Sequence, residues 1–449
     1  MKKLVCLVAC LLLVAGIASA DKTKVRWYVG LGGGSDAPTF QGQKDVVDQF
    51  NASQNDIELT LEIVANAQAY DTLSTEIQAG NPPDIVGPVG IRGRDSFLGT
   101  WADMTPLIAK NKYDLKDFDT KIVKFFQVEK QGQLGLPFAI YPSVVFYNKD
   151  LFDEAKLPYP PHKYGEAYVD QNGKKKPWNT DTLREIAMQL TVDQNGKAAT
   201  AKDFDPEHIV QFGYGEQMTD FRGTATLFGA ASLVDKNGKA QIPQNWRDGM
   251  KWYYDAMWKD HFAPTFAYGQ SDAFLQGNWF QTGNIAMAHV HLWYLGFAQL
   301  KFNWDVAAVP SYKGTATAKM HADTFELVKS SKNQDAGFKV LTYLIGEAAP
   351  KLLTTYGGMP ARLSLQSGFF KTFNAAKFPG KKIDWQVFVD SMAYNDNPNH
   401  ESWMPSFQET TTKYTEYWTK FQNDGTLNIG KELDSLTADL QKIFQAAKK

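Results

Sequence analysis

Cysteine is almost absent from this 449-residue sequence, which has only Cys6 and Cys10. Both lie in residues 1–20, where two lysines, an apolar run and an Ala-Ser-Ala triplet have the form of a secretory signal peptide. We therefore expect an exported protein, periplasmic or at the cell surface. After processing it has no disulfide and must rely on its core for stability.

Cys10 permits a second interpretation of the leader. The segment Leu7-Val8-Ala9-Cys10 resembles a bacterial lipoprotein box, whose cysteine becomes lipidated. Only six apolar residues precede this cysteine, so we prefer simple cleavage after Ala20.

Long hydrophobic runs and an excess of one charge are also lacking. The apolar run of the leader, residues 4–17, is shorter than the roughly 18–20 residues that span a bilayer, and no later run is long enough. The 47 Lys and Arg nearly balance the 49 Asp and Glu. A nucleic-acid binder needs a basic surface, so this balance argues against that class.

After the leader, the chain opens with a strand–helix–strand–helix–strand pattern. Strands are predicted at 24–29, at 57–63, where apolar and polar residues alternate, and at 84–86. This pattern predicts a parallel sheet with right-handed crossovers and a ligand crevice beyond the carboxyl ends of the strands. Because the length exceeds the roughly 250–300 residues of one core, we expect two lobes.

Strands and helices continue through the rest of the chain. A helix near 181–190 carries a capping-box-like pair, Thr182 and Glu185. Further strands are predicted at 136–138, 143–147, 284–289 and 304–309, and further helices at 150–155, 245–260 and 335–345, with two amphipathic helices in the tail.

Two Gly-containing motifs are better explained by backbone geometry than by cofactors. The loop at 30–35 is a near miss to the dinucleotide fingerprint, but it lacks the third glycine and a suitably spaced acid. We interpret its glycines as allowing close approach to a ligand. The Asp-x-Asn-Gly-Lys repeats at Asp170, Asp193 and Asp235 lack the acidic spacing of a calcium loop and favour tight turns.

Metal and hydrolytic chemistry receive little support. His289, His291 and His321 are candidate zinc ligands, but a pair at i, i+2 without cysteine is a weak signal. We prefer a role for these histidines in a polar cleft or in local hydrogen bonds.

No His-Glu-x-x-His or Gly-x-Ser-x-Gly motif occurs. Sequence spacing does not reveal whether two carboxyls flank one glycosidic bond, so a carbohydrate-active enzyme stays an alternative.

Aromatic residues are abundant, with 12 Trp, 19 Tyr and 29 Phe. Trp101, Trp279, Trp293 and Trp403 stand near Gly, Pro or Asn rather than on helical stripes. Most tryptophans are core residues, but a flat indole with a few polar groups also suits the apolar face and hydroxyl rim of a sugar ring.

Several motifs occur in an order that resembles a known family. Gly80-Asn81-Pro82-Pro83-Asp84-Ile85, Val145–Phe152 and Phe280–Met287 followed by Trp293 are similar to elements of the bacterial extracellular solute-binding proteins of ABC importers. The match is to the sugar-binding group that includes maltose-binding protein. Departures at Gly32–Gly34 and His321–Asp323 leave the sugar unspecified.

The resemblance implies an α/β, two-lobed periplasmic-binding-protein fold of type II with three chain crossings. These are expected near 141–143, 302–304 and 351–357. The first lobe would contain 21–140 and 305–350, and the second 141–304 and 351–449. The resemblance also implies a monomer that captures a mono- or oligosaccharide by hinge closure and delivers it to permease subunits, without catalysis or a cofactor.

Candidate ligand contacts lie in loops at the carboxyl ends of strands and at the crossings. Trp293 is the strongest candidate, because relatives place a stacking indole there. Arg92 and Asp95 can bind hydroxyls or pair with each other at the surface. The first lobe offers Gly33, Asn66, Gln68, Arg92, Arg94 and Asp95; the other wall offers Tyr141, Trp279, His291, Trp293, Met359, Arg362 and Trp403, with Asp323 as a further acceptor. A peptide or polyamine importer component is the alternative to a sugar binder.

Overall fold

The computed structural model describes residues 21–128, 130–218, 221–396 and 403–447. The leader and Cys10 lie outside the described residues. Within those ranges, every helix is either too short or too polar to cross a bilayer.

Strands and helices alternate along the described chain. The strands are β1 (Thr23–Val29), β2 (Ile57–Ile63), β3 (Ile85–Val89), β4 (Gln127–Val128), β5 (Gly132–Gln133), β6 (Gly135–Asn148), β7 (Tyr168–Val169), β8 (Lys175–Lys176), β9 (Val192–Asp193), β10 (Ile209–Glu216), β11 (Ile285–His291), β12 (Trp304–Ala307), β13 (Ser311–Tyr312), β14 (Thr315–Ala316), β15 (Met320–Leu327) and β16 (Met359–Pro360). The helices are α1 (Ala37–Ser53), α2 (Asn66–Gln78), α3 (Ile91–Ser96), α4 (Thr105–Lys110), α5 (Thr120–Phe125), α6 (Lys149–Glu154), α7 (Thr180–Leu190), α8 (Phe221–Thr226), α9 (Gln244–Trp258), α10 (Phe266–Gly269), α11 (Gln334–Leu344), α12 (Ala349–Tyr356), α13 (Leu363–Gln366), α14 (Phe369–Lys377), α15 (Gln386–Ser391), α16 (Phe407–Asn423) and α17 (Ile429–Ala446). Short 3-10 helices lie at Asp272–Gly277, Phe280–Thr282, Leu292–Gly296 and Met392–Tyr394.

The opening parallel unit is confirmed. β1 pairs in parallel with both β2 and β3, and α1 and α2 connect the three strands. Val46, Val47 and Phe50 of α1 are buried, as the helical spacing of apolar residues predicts. The carboxyl ends of β1 and β3 therefore open at one edge of the sheet.

β6 corrects one sequence prediction. The separate strands expected at 136–138 and 143–147 are a single 14-residue strand that is buried throughout. Residues 135–142 of this strand pair with β15, whereas residues 143–148 pair with β11 and β12. Each half of the strand has partners of its own, so Pro142 does not end it.

β6 divides the main sheet into two halves. The strands run in the order β2-β1-β3-β15-β6-β11-β10-β9, with β12 and β16 also paired to β6. We call β1–β3, β15, β16 and residues 135–142 the first half, and β9–β12 with residues 143–148 the second half.

The two predicted tail helices, α16 and α17, cover the second half. Leu433, Leu436 and Leu440 of α17 are buried, and they belong to the same apolar cluster as Trp246 of α9. Each leucine buried in this way contributes about 1.5–3 kcal/mol. The second half thus has a core of its own beside the sheet.

The Asp-x-Asn-Gly-Lys repeats form turns, as predicted. In the repeat at Asp193, the carboxylate accepts hydrogen bonds from the backbone N–H groups of Asn195 and Lys197.

The capping-box prediction at Thr182 is wrong. α7 begins two residues earlier, at Thr180, because the Asn179 side chain accepts the Thr182 N–H and acts as the N-cap.

Candidate functional site

A cavity of 1190 Å³ lies between the two halves of the sheet. The loops after β1 and β3 and the start of α2 line one side, α16 lines the other, and β6 and β15 lie between them. We call this space the main cavity. Its polar side chains are Ser35, Asp36, Thr39, Asn66, Tyr70, Asp71, Ser74, Arg92, Ser96, Tyr141, Arg222, Lys319, His321, Asp323, Tyr356, Gln408, Thr411, Thr412, Thr415, Glu416 and Thr419.

Asp323 of β15 is a buried carboxyl in the main cavity. Burial raises the pKa of this carboxyl to about 6, although His321, the Gly33 backbone N–H and the Tyr141 hydroxyl act in the opposite direction. Gly32 lets the loop after β1 approach, since a Cβ there would lie 3.1 Å from the Asp323 Oδ2 atom and 2.5 Å from a backbone oxygen. The Asp323 carboxyl can therefore accept a hydrogen bond from a ligand, and its charge changes with pH near this pKa.

Two buried phenols lie near Asp323. Burial and the negative charge of Asp323 raise the pKa of Tyr141 and of Tyr356 well above the ordinary value. The Tyr356 hydroxyl oxygen is buried and lacks a hydrogen-bond partner among the described residues, whereas the buried Tyr141 hydroxyl faces the Asp323 carboxyl. Because leaving a buried hydroxyl unsatisfied is costly, a polar ligand in the cavity would gain from bonding to Tyr356.

A stack of three rings joins the second half to the cavity. The imidazoles of His291 and His321 have centroids 3.8 Å apart, and the Trp293 indole lies on the other side of His291 at 5.8 Å. His289 instead contacts the Ser143 Oγ at 3.0 Å. Of the three histidines, only His321 lines the main cavity. No cluster of three or more metal-ligating side chains occurs in the described part of the chain.

Aromatic faces line both sides of the main cavity. On the first side, the Arg92 guanidinium lies 5.0 Å from the centroid of the Tyr70 ring, and Phe97 stacks on Tyr70 at 6.2 Å. On the other side, the half-buried Trp293 stacks on Phe297 at 6.0 Å. A flat ring can therefore meet an apolar face on either side.

α16 presents a row of hydroxyls to the cavity. Thr411, Thr415 and Thr419 recur every four residues and share one helical face. In the first turn of α16, the Gln408 side-chain amide donates to the Ser96 backbone oxygen at 2.9 Å. This bond connects α16 of the second half with α3 of the first.

A second chamber of 570 Å³ adjoins the main cavity. The two spaces share Trp293 and Phe297 as lining residues. The second chamber is lined otherwise by Tyr214, Glu216, Gln217, Met218, Thr224, Tyr253, Met257, Ala263, Pro264, Phe266, Gln270, Asn278, Trp279, Trp418 and Gln422.

Seven sequence-predicted site residues line these spaces. Trp279 lines the second chamber and Trp293 lines both. The others line the main cavity: Gly33, Asn66, Arg92, Tyr141 and Asp323.

The prediction for Arg94 and Asp95 needs correction. Arg94 is 1% exposed, and its guanidinium donates to the Asp95 carboxylate at 2.7 Å and to the Phe125 backbone oxygen. Asp95 therefore pairs with Arg94 in the interior, not with Arg92 at the surface. Neither residue lines the cavity, because α3 turns both side chains inward.

The other five predicted contacts also lie off the cavities. Arg362 bonds Asp117 and Tyr113, and its guanidinium covers the Phe118 ring at 4.6 Å. His291 is fully buried within the stack of rings. Gln68 is exposed on α2, Met359 is buried beside β6, and Trp403 is 61% exposed. None of these five lines the main cavity or the second chamber.

Several cavity residues were missed by the sequence argument. Tyr70 was not among the predicted contacts, and Tyr356 fell only within the chain crossing expected near 351–357. No sequence pattern marked Lys319 as a cavity residue. Its position follows from a buried pair with the distant Asp396, whose carboxylate accepts from the Lys319 ammonium at 3.2 Å. The four-residue spacing of the α16 threonines was visible in the sequence and is the signal that was overlooked.

Residues 37–350 match the family described as bacterial extracellular solute-binding protein. The chain is also 24% identical over 389 residues to an arabinooligosaccharide-binding protein of Halalkalibacterium halodurans, covering 82% of this chain and 80% of that one.

Solved structures share the fold at lower identity. An ABC substrate-binding protein of Listeria monocytogenes in complex with cycloalternan has a TM-score of 0.74 at 20% identity, covering 95% of this chain and 100% of that one. UgpB of Mycobacterium tuberculosis with glycerophosphocholine has 0.73 at 14%, covering 94% and 99%. A maltodextrin-binding domain of Bdellovibrio bacteriovorus with maltotriose has 0.69 at 15%, with the same coverage.

These similarities fit the two-lobed α/β architecture predicted from the sequence, with a cavity between the halves of its sheet. Because the family match extends over more than half of the chain, this protein belongs to the bacterial extracellular solute-binding protein family.

Proposed function

We propose that this protein is the substrate-binding component of an ABC sugar importer. It captures a mono- or oligosaccharide in the main cavity, closes around it and delivers it unchanged to membrane permease subunits. The family membership and the oligosaccharide named for the Halalkalibacterium halodurans relative support this function.

One arrangement carries the proposal: Trp293 and Tyr70 on opposite sides of a cavity that also contains Asp323. A sugar ring has an apolar C–H face that suits an indole or phenol ring, and a rim of hydroxyls that suits carboxyl, amide and hydroxyl partners. The Asp323 carboxyl, the Tyr141 hydroxyl that faces it and the unpartnered Tyr356 hydroxyl supply such partners beside the aromatic faces.

The charge of the main cavity favours a neutral ligand. Four carboxyl residues line it, and so do three with permanent cations. All three cations are already engaged, since Lys319 pairs with Asp396, Arg92 lies over the Tyr70 ring and Arg222 lies over the Trp246 ring. A polyamine would need an excess of carboxylates and a phosphate ester an excess of free cations, so both fit less well than a sugar.

Closure around the ligand follows from the position of the cavity between the two halves. A sugar that contacts the loops after β1 and β3 on one side and α16 on the other stabilises the closed form alone. We place the first lobe at 21–140 with β15, α11, α12 and β16, and the second at 141–307, which includes β12, with the helices from α14 onward. The pairing of β12 with residues 145–148 favours a crossing between β12 and β15, later than residue 305.

Export, delivery and assembly complete the proposal. The signal-peptide pattern of residues 1–20 and the extracellular family favour a protein that is periplasmic or at the cell surface, with cleavage after Ala20 preferred over a lipid anchor at Cys10. We propose a monomer that docks on permease subunits and performs no catalysis, so that the bound sugar is returned intact.

A thermal-shift screen tests this function. Mono- and oligosaccharides, peptides, polyamines and glycerophosphocholine are added separately, and each hit is recovered and analysed for products. A ligand at 100 times its Kd stabilises the protein by about 2.7 kcal/mol, which a melting curve detects. Stabilisation by sugars with unchanged recovery is the expected result. Stabilisation by one of the other classes alone, or cleavage of the sugar, would contradict the proposal.

A further inference from the structure

The main cavity and the second chamber adjoin each other at two shared aromatic residues. Trp293 and Phe297 line both spaces and stack on each other at 6.0 Å. The main cavity of 1190 Å³ already exceeds the roughly 300–1,000 Å³ of a typical small-molecule pocket, and the second chamber adds 570 Å³. A ligand that stacks on Trp293 can therefore continue past it.

The second chamber contains a preformed aromatic platform. The Trp279 Nε1 atom donates to the Gly269 backbone oxygen at 3.1 Å, which fixes the indole. Two glycines flank the ring, because a Cβ at Gly269 would lie 2.7 Å from it and one at Gly215 would lie 3.0 Å from it. The indole is thus seated against two backbone segments before any ligand arrives.

Polar side chains surround this platform without cationic charge. Gln217, Gln270 and Asn278 line the chamber with amides, and Glu216 adds its only acidic side chain. One Glu216 oxygen is buried without a hydrogen-bond partner among the described residues; it lies 3.8 Å from the His289 Nδ1 atom, beyond hydrogen-bond distance. A ligand hydroxyl near this carboxyl would supply a missing donor.

We infer that the second chamber binds further units of a neutral oligosaccharide whose first units occupy the main cavity. The ligand bends around the Trp293–Phe297 pair and stacks a distal ring on Trp279. This inference rests on the proposed function and makes it more specific, because it selects chains of several sugar units over free monosaccharides.

Calorimetric titration with oligosaccharide ladders tests the inference. The probes are arabino-, malto- and cello-oligosaccharides of one to five units, titrated into the full processed protein. In the ladder that binds, we expect affinity to rise at least tenfold between one unit and the longer members. Trp279→Ala should lower the affinity for the long members at least tenfold and change that for short members less than threefold.

Matched variants separate binding from folding. Trp403→Ala removes an indole that is 61% exposed and away from both spaces, so all affinities should stay unchanged. Gln270→Ala changes an exposed side chain that lines the chamber, and it should lower the affinity for the long members by a smaller factor than Trp279→Ala does. This variant keeps the test valid if Trp279→Ala does not fold.

Two results would overturn the inference, and they differ in what they say of the function. If sugars bind but affinity does not depend on length, or both chamber variants leave the long members unaffected, the main cavity alone holds the ligand and the proposed function stands. If no ladder binds at any length while another class of solute does, the proposed function is overturned as well.

Discussion

The side-chain amide of Gln408 donates to the backbone oxygen of Ser96 at 2.9 Å, although the two residues are 312 positions apart. Ser96 ends α3 in the first half of the fold, and Gln408 lies in the first turn of α16, which packs on the second half. The bond therefore joins the two sides of the main cavity. It can exist only while the two sides are close together, so it favours the closed form over the open form.

Gln408→Ala should shift the ligand-free protein towards the open form. A hydrogen bond of this kind contributes about 0.5–1.5 kcal/mol, so we expect ligand affinity to fall roughly two- to tenfold. Small-angle scattering should show a larger radius of gyration without ligand and the wild-type radius at saturation. Gln386→Ala is the control, because that amide bonds Asp390 on its own helix. An unchanged radius together with unchanged affinity would show that the bond does not influence closure.

Trp293→Ala should lower the affinity for the sugar at least about tenfold, because a stacked aromatic face contributes more than ~1 kcal/mol and its apolar area adds to this. Isothermal titration with the best ligand from the screen measures the loss. Trp403→Ala should bind as the wild type does. Wild-type affinity in a folded Trp293→Ala variant would remove this indole from the binding site.

Asp323 should make stability and binding depend on pH in opposite directions. Its native pKa of about 6 exceeds the ordinary value of 3.8, so the native state binds more protons than the unfolded state between these values. The contribution of Asp323 to the free energy of unfolding is therefore greatest at low pH and decreases as pH rises from about 4 to about 6. Urea denaturation across this range should detect the decrease, and Asp323→Asn should remove it.

Sugar hydroxyls donate better to a carboxylate than to a carboxylic acid, so the sugar should lower the pKa of Asp323. Affinity should then rise between pH 5 and pH 7, by about fivefold if binding lowers the pKa by one unit. Asp323→Asn should bind more weakly, with a flat pH profile. A wild-type profile that is flat, or that falls over this range, would show that Asp323 does not accept from the ligand.

Asp95→Ala should damage stability rather than binding. It leaves the Arg94 guanidinium, which is 1% exposed, without its carboxylate, and breaking a buried pair in this way costs about 3–5 kcal/mol. Chemical denaturation should show this loss, whereas affinity measured well below the melting temperature should stay within about threefold. Asp45→Ala, which removes a solvent-exposed pair with Lys351, should leave the denaturation midpoint almost unchanged. A large loss of affinity in Asp95→Ala would return this residue to the site.

Local pattern in the sequence determined the elements whose faces repeat. The alternation at 57–63, the helical spacing of Val46, Val47 and Phe50, and the two amphipathic tail helices each predicted an element that the structure contains. The order of short motifs predicted the family, and the resemblance to that family singled out Trp293, which follows the predicted strand at 284–289. These features depend on residues that are near each other in the chain, and periodicity reports them directly.

Only the tertiary structure decided which side chains meet. Asp95 pairs with Arg94 rather than Arg92 because α3 faces the interior. His291 stacks on His321 because β11 and β15 meet at the middle of β6, where His291 pairs with Ser143 and His321 with Tyr141. The joining of 136–138 with 143–147 into one strand, the hydroxyl row of α16 opposite Asp323 and the chamber beyond Trp293 arise in the same way. Each depends on pairing and packing between segments far apart in the chain, and periodicity within one segment carries no information about its distant partner.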